Sequence, residues 1–88
     1  SEKSRFEFSL PLVQAFQGLG EFNEAISQYA EHISHYGANV NVFNQIGECY
    51  LQLGNKAEAL KAWEKSLSLN GKQARIREKV DELKKNAQ

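Results

Sequence analysis

The sequence predicts an all-α fold, an array of antiparallel helix pairs with five helices in total. Three observations lead there. Apolar residues recur at separations of three and four along most of the chain, which places them on one side of a 3.6-residue helix. The runs meet at short glycine-bearing segments, Gly18-Leu19-Gly20, Gly37 and Leu53-Gly54-Asn55. The pattern also recurs: displaced by 34 residues, Leu19-Gly20 falls on Leu53-Gly54, Glu24-Ala25-Ile26 on Glu58-Ala59-Leu60, Tyr29 on Trp63, Ile33 on Leu67, Phe16 on Tyr50 and Leu12 on Ile46, without a gap. A fixed period of this length marks a helical repeat array, in which one unit cannot bury its apolar stripe without a neighbour.

The first run, Phe6, Phe8, Leu10, Leu12, Val13, Phe16 and Leu19, alternates and then takes helical spacing, with Pro11 at the change. Proline is tolerated in the first turn of a helix and damaging in its interior, so Ser9 as N-cap with Pro11 just inside is the less costly start. The repeat register instead starts the helix near Arg5, runs it to Leu19 and bends it at Pro11, and this is the expectation carried forward. The second helix spans Glu21 to Tyr36 with Phe22, Ala25, Ile26, Tyr29 and Ile33 inward, and Gly37 ends it. In the third run Val42, Phe43, Ile46, Cys49, Tyr50 and Leu53 share a face. Gly47 lies inside that run, where it costs up to about 1 kcal/mol relative to Ala, a cost a helix accepts most readily where a neighbour comes close. The fourth run carries Ala59, Leu60, Trp63, Ser66 and Leu67, with the small residues Ala59 and Ser66 where a facing helix can approach. Asn55 followed by Glu58 reads as an N-cap with its capping-box partner. The fifth helix, Lys72 to Asn86, has one inward stripe of Ile76, Val80, Leu83 and Ala87 between charged flanks, the form in which repeat arrays close.

Residues 40–73 resemble the tetratricopeptide repeat family through Phe43 (usually Trp), Ile46, Gly47, Tyr50, Gly54, Ala59, Trp63 and Leu67. Residues 6–39 look like a weaker copy, departing at Ser9 (usually aromatic), Val13 (usually Gly) and His32 (usually small), while Gly37 and Gly71 stand where the family prefers Pro. The resemblance implies a single domain over residues 1–88, with repeats at 6–39 and 40–73 and a capping helix at 72–86, wound as a right-handed α-α superhelix. It also implies a non-catalytic module for protein–protein interaction. In that family the first helix of each pair lines a concave groove, which here implies Asn41, Asn44, Glu48, Leu51 and Gln52 from the second repeat. The same register implies Glu7, Leu10, Gln14, Gln17 and Gly18 from the first repeat, and Arg75, Glu78 and Glu82 from the closing helix. Asn and Gln both donate and accept hydrogen bonds, which suits them to the backbone of a bound peptide. Relatives that grip the C-terminal carboxylate of chaperones use Lys, Arg and Asn, whereas the matching positions hold Leu10, Gln14, Asn44, Glu48, Glu78 and Glu82. Three carboxylates repel an anionic tail, so a chaperone tail is not an expected partner.

Eleven basic and eleven acidic residues leave no net charge to draw the chain to nucleic acid or an anionic membrane. The balance is uneven along the chain: two basic and five acidic residues in 1–36, nine basic and six acidic after them. Polarity of that kind could favour head-to-tail association, though surface charges are screened within about 10 Å at ordinary salt. A homodimer that hides Phe6, Phe8 and Leu10 is the alternative to a peptide-binding role. One cysteine excludes an internal disulfide, and no apolar run approaches the roughly 18 residues that span a bilayer. Ser1-Glu2-Lys3 reads as the start of a piece cut from a longer polypeptide; the cytoplasm is the favoured compartment and the periplasm the alternative for such a piece.

Candidate chemistry is sparse. His32 and His35 share a helical face with Glu31 or Glu24 nearby, but a metal site needs three or four convergent ligands, which this spacing does not supply. Cys49 lies within an apolar stripe and is expected to be a buried, inert thiol without the base and orienting group a nucleophile requires. Gly18-Leu19-Gly20 follows a helix and lacks the downstream Gly-Lys-Ser/Thr of a phosphate loop. Phe16, Tyr29, Phe43, Tyr50 and Trp63 fall at core spacing, where they pack rather than stack on bases. No catalytic residue, metal or cofactor is expected.

Overall fold

The computed structural model describes residues 16–86, and every regular element among them is helical. Residues 16–18 are helical, followed by α1 (Phe22–Tyr36), α2 (Val40–Gln52), α3 (Lys56–Leu69) and α4 (Ala74–Asn86). The rest of the expected Arg5–Leu19 helix, including the bend at Pro11, lies outside the described residues, as does Ala87. Each helix packs on the next, α1 on α2, α2 on α3 and α3 on α4, across short connections that make neighbours antiparallel.

The 34-residue register is written into the backbone of the turns. Gly20 and Gly54 both have φ of 81°, a conformation that side chains with a Cβ rarely adopt. The Gly20 N–H donates to Gln17 O at 3.0 Å and the Glu21 N–H to Phe16 O at 2.7 Å; one register on, Gly54 donates to Leu51 O at 3.0 Å and Asn55 to Tyr50 O at 2.9 Å.

The starts of α2 and α3 are fixed by asparagine. Asn39 Oδ1 accepts from the Val42 N–H at 3.1 Å and Asn55 Oδ1 from the Glu58 N–H at 3.3 Å, each satisfying a donor that the first helical turn leaves open. The capping box expected at Asn55 is only half formed. Its own N–H is already held by Tyr50 O, and the Glu58 carboxylate instead accepts from Lys61 Nζ at 3.3 Å. α4 starts at Ala74 rather than at Lys72, because Asn70 Oδ1 takes the Lys72 N–H at 2.9 Å into a local turn that precedes the helix.

Two apolar clusters share Tyr50. The first joins Ala25 and Tyr29 to Val42, Ile46, Cys49 and Ala62; the second joins Ala59 and Trp63 to Ile76, Val80 and Leu83. Tyr29 and Trp63, one register apart, are 0% and 1% exposed. The closest approach is between α2 and α3. A Cβ at Gly47 would lie 2.3 Å from Trp63 Nε1, and that Nε1–H donates to Asn44 O at 3.0 Å. The interior glycine is therefore the seat of an indole, the close neighbour that its helix-propensity cost calls for.

Cys49 is fully buried, and burial, with the nearby Glu48 charge, pushes its thiol from 9.0 up to about 11. Burial and Cys49 push the Tyr29 hydroxyl from 10.0 up to about 12, and that hydroxyl donates to Gln17 Oε1 at 2.6 Å. Both groups hold their proton more tightly when folded. Their contribution to stability is therefore complete below the unfolded values and is lost as pH rises through 9.0 to about 11 for Cys49 and 10.0 to about 12 for Tyr29. Melting temperatures measured across that range should fall more steeply for the parent chain than for Cys49→Ala; parallel curves would show that the thiol does not titrate as its burial requires.

Candidate functional site

α2 and α4 lie side by side on α3 and leave a cavity of about 410 Å³ between them. Glu48 and Leu51, three residues apart, present their side chains from α2. Glu78, Lys79, Glu82 and Leu83 present theirs from α4, where the i,i+4 pairs Glu78/Glu82 and Lys79/Leu83 form two adjacent rows. Trp63 of α3 forms the floor.

Lys79 ties this site together. Its Nζ lies 3.0 Å from Glu48 Oε1 and 5.2 Å from the centroid of the Trp63 ring, so one ammonium is held by a carboxylate and by the face of an indole. Gln52 Nε2 donates to the other Glu48 oxygen at 3.2 Å. Burial alone raises the Glu48 carboxyl, but the hydrogen bonds from Lys79 and Gln52 and the Lys79 charge outweigh it and hold the group below its ordinary value. Glu48 is therefore charged at neutral pH. The ion pair is partly open to solvent, its side chains 38% and 33% exposed, and is worth at most about 1 kcal/mol.

At one end of α2 a polar knot anchors the α3–α4 connection. Asn44 Nδ2 donates to Gln73 Oε1 at 2.9 Å, while Gln73 Nε2 donates to Ser66 Oγ at 3.0 Å and to Asn70 O at 2.7 Å. α4 is further tied to α3 by Lys84 Nζ and Glu64 Oε2 at 3.1 Å.

Of the residues expected in a groove, Glu48, Leu51, Glu78 and Glu82 share this cavity. Asn41, Gln52 and Arg75 are exposed and do not line it. Asn44 is half-buried with its amide engaged by Gln73. Gln17 accepts from Tyr29 and donates to Gln45 Oε1 at 3.3 Å, and Gly18 is exposed at a helix end. Gln14, Glu7 and Leu10 lie outside the described residues. Periodicity alone assigned Lys79 to a solvated flank and Trp63 wholly to the core. The missed signal was the place of Lys79 beside Val80 at the edge of the stripe, from which a long side chain reaches back over its neighbours.

A second hollow of about 330 Å³ lies between α1 and α3, with Ile26 and Ile33 on one side, Lys61 and Lys65 on the other, and Phe43 and Tyr50 of α2 beneath. His35 Nε2 lies 3.5 Å from Glu31 Oε2, and the His32 and Tyr36 rings are 4.9 Å apart. Among the described residues no three His, Cys, Asp or Glu side chains converge as metal ligands, and no helix is long and apolar enough to cross a membrane.

Residues 40–73, which contain α2 and α3, match the family model described as tetratricopeptide repeat. The match makes them similar to one such repeat. No curated protein matches the chain. Within the matched residues, Gly47 and Trp63 form the seam between the two helices. α4 lies against it with Ile76, Val80 and Leu83 buried, 34 residues on from the buried Val42, Ile46 and Cys49. At the place equivalent to Gly47, however, α4 carries the exposed Asp81, which offers no seat for a facing ring. Tetratricopeptide repeats are, as a class, modules for protein–protein interaction.

Proposed function

We propose that the chain is a non-catalytic interaction module that binds a peptide or protein segment in the groove between α2 and α4, with residues 6–39 acting as a divergent first repeat. The observation that carries this reading is the α2–α4 cavity, where the half-buried Leu51 lies among charged side chains above a buried indole. An apolar surface with a few polar groups around it is what a segment of polypeptide needs for affinity and orientation. The divergent first repeat is supported by the identical turn at Gly20 and Gly54 and by the equal burial of Tyr29 and Trp63.

The test is to select binders from a displayed library of linear peptides and map them on the isotope-labelled chain by NMR. Perturbed resonances should centre on Glu48, Leu51, Gln52 and Glu78. Perturbation confined to Ile33, Lys61 and Lys65 would overturn the reading by moving the binding face to the opposite hollow.

A further inference from the structure

We infer that the groove between α2 and α4 selects a partner segment carrying a basic side chain, arginine or lysine, whose stem lies on Leu51 and whose charged head sits among Glu48, Glu78 and Glu82. The inference rests on the reading of this groove as the binding face and adds the chemistry of the occupant.

Charge complementarity is the first support. A further hollow of about 340 Å³, lined by Glu78, Asp81, Glu82 and Lys85, continues from the first because Glu78 and Glu82 border both. Across the two, four carboxylates face two ammonium groups, although the chain as a whole has no net charge. Among the described residues Glu78, Asp81 and Glu82 form no ion pair. Their charges are thus available to a ligand.

The second support is independent of the count. The groove already holds one cation of the expected kind, the Lys79 ammonium, between the Glu48 carboxylate at 3.0 Å and the Trp63 ring at 5.2 Å. This intramolecular contact shows that the walls accept a long cationic side chain with an apolar stem and a charged tip. Glu48 is held in its charged form, and Glu78 and Glu82 stand beside it on the facing helix. The cavity, at about 410 Å³, lies within the range of ligand clefts, roughly 300–1,000 Å³. An acidic segment meets repulsion here, and a neutral one forms no ion pair with the carboxylates.

Three probes test this on the full chain: acetyl-Ala-Ala-X-Ala-Ala-amide with X as arginine, alanine or glutamate, titrated by NMR. The arginine peptide should shift the amides of Glu48, Leu51, Lys79 and Glu82 and the Trp63 indole N–H, and bind up to about fivefold more tightly than the alanine peptide, as one partly exposed ion pair implies. The glutamate peptide should leave these signals in place. The double variant Glu78→Gln, Glu82→Gln alters only exposed side chains. It should keep its melting temperature and bind the arginine peptide about fivefold more weakly. Equal shifts in the groove with arginine and alanine peptides would overturn the charge selection and leave the groove as the binding face. Failure of the arginine peptide to shift the groove, or its unchanged affinity for the double variant, would overturn the inference. Shifts on the Lys61 and Lys65 face with all three would overturn both.

Discussion

Gly47→Ala is expected to destabilise the chain by about 2 kcal/mol. On helix propensity alone the change should stabilise α2, since alanine is preferred over glycine in a helix interior by about 1 kcal/mol. The packing reverses that sign. The added methyl would stand 2.3 Å from Trp63 Nε1 and 2.5 Å from Cδ1, so the indole must move. That ring is 1% exposed and hydrogen-bonded to Asn44 O, and it cannot swing aside as a surface lysine can. Forcing extra volume into a packed core costs typically about 1–3 kcal/mol, sometimes more, which outweighs the propensity gain. Urea unfolding measures it, as a lower midpoint at unchanged slope. A variant as stable as the parent would mean that α2 and α3 do not approach as described.

Trp63→Ala should cost more, about 3–5 kcal/mol, from lost apolar burial and the cavity left behind. It would consume most of the stability of a small domain, which is only about 5–15 kcal/mol. The indole touches two neighbouring helices at once: it faces Gly47 on α2, and on α4 it clusters with Ile76, Val80 and Leu83 and lies beneath the Lys79 ammonium. The two substitutions are also coupled. With the ring removed, the three atoms nearest the methyl at position 47 are gone, so Gly47→Ala made in the Trp63→Ala background should stabilise by up to about 1 kcal/mol. That change of sign separates steric contact from any general disturbance of α2.

The elements that local patterning controls were legible in the sequence. The stripe of each described helix, the end of α1 at Gly37 and the asparagine cap of α3 follow from spacing and turn chemistry within a few residues. Gly47 was legible for a different reason: a glycine inside a strong helix pattern costs stability unless something comes close, and Trp63 does. The site was less legible. Glu48 and Lys79 are 31 residues apart, as are no partners that a helical wheel could pair, and Lys79 is one of several charged residues flanking the α4 stripe. Its place beside Val80 at the stripe edge is shared by Lys84 beside Leu83, which turns to Glu64 on α3 instead. Asn44 illustrates the same gap. Its position on the α2 wheel suggested a free amide, and only the approach of the α3–α4 connection gives that amide to Gln73. The half-formed capping box has the same origin, because Glu58 had two available partners and the tertiary turn had already taken the Asn55 N–H.

Placement of a ligand between α2 and α4 is open to one direct measurement, because the chain contains a single tryptophan and it lies beneath that groove. A segment entering the groove competes for Glu48 and displaces the Lys79 ammonium now 5.2 Å from the indole, whereas occupation of the hollow beside Lys61 and Lys65 leaves the indole untouched. A selected peptide should therefore be titrated with two readouts in parallel, its own fluorescence anisotropy and the Trp63 emission. Occupation of the groove gives a saturating change in emission with the same Kd as the anisotropy; saturable anisotropy with unaltered emission would contradict it.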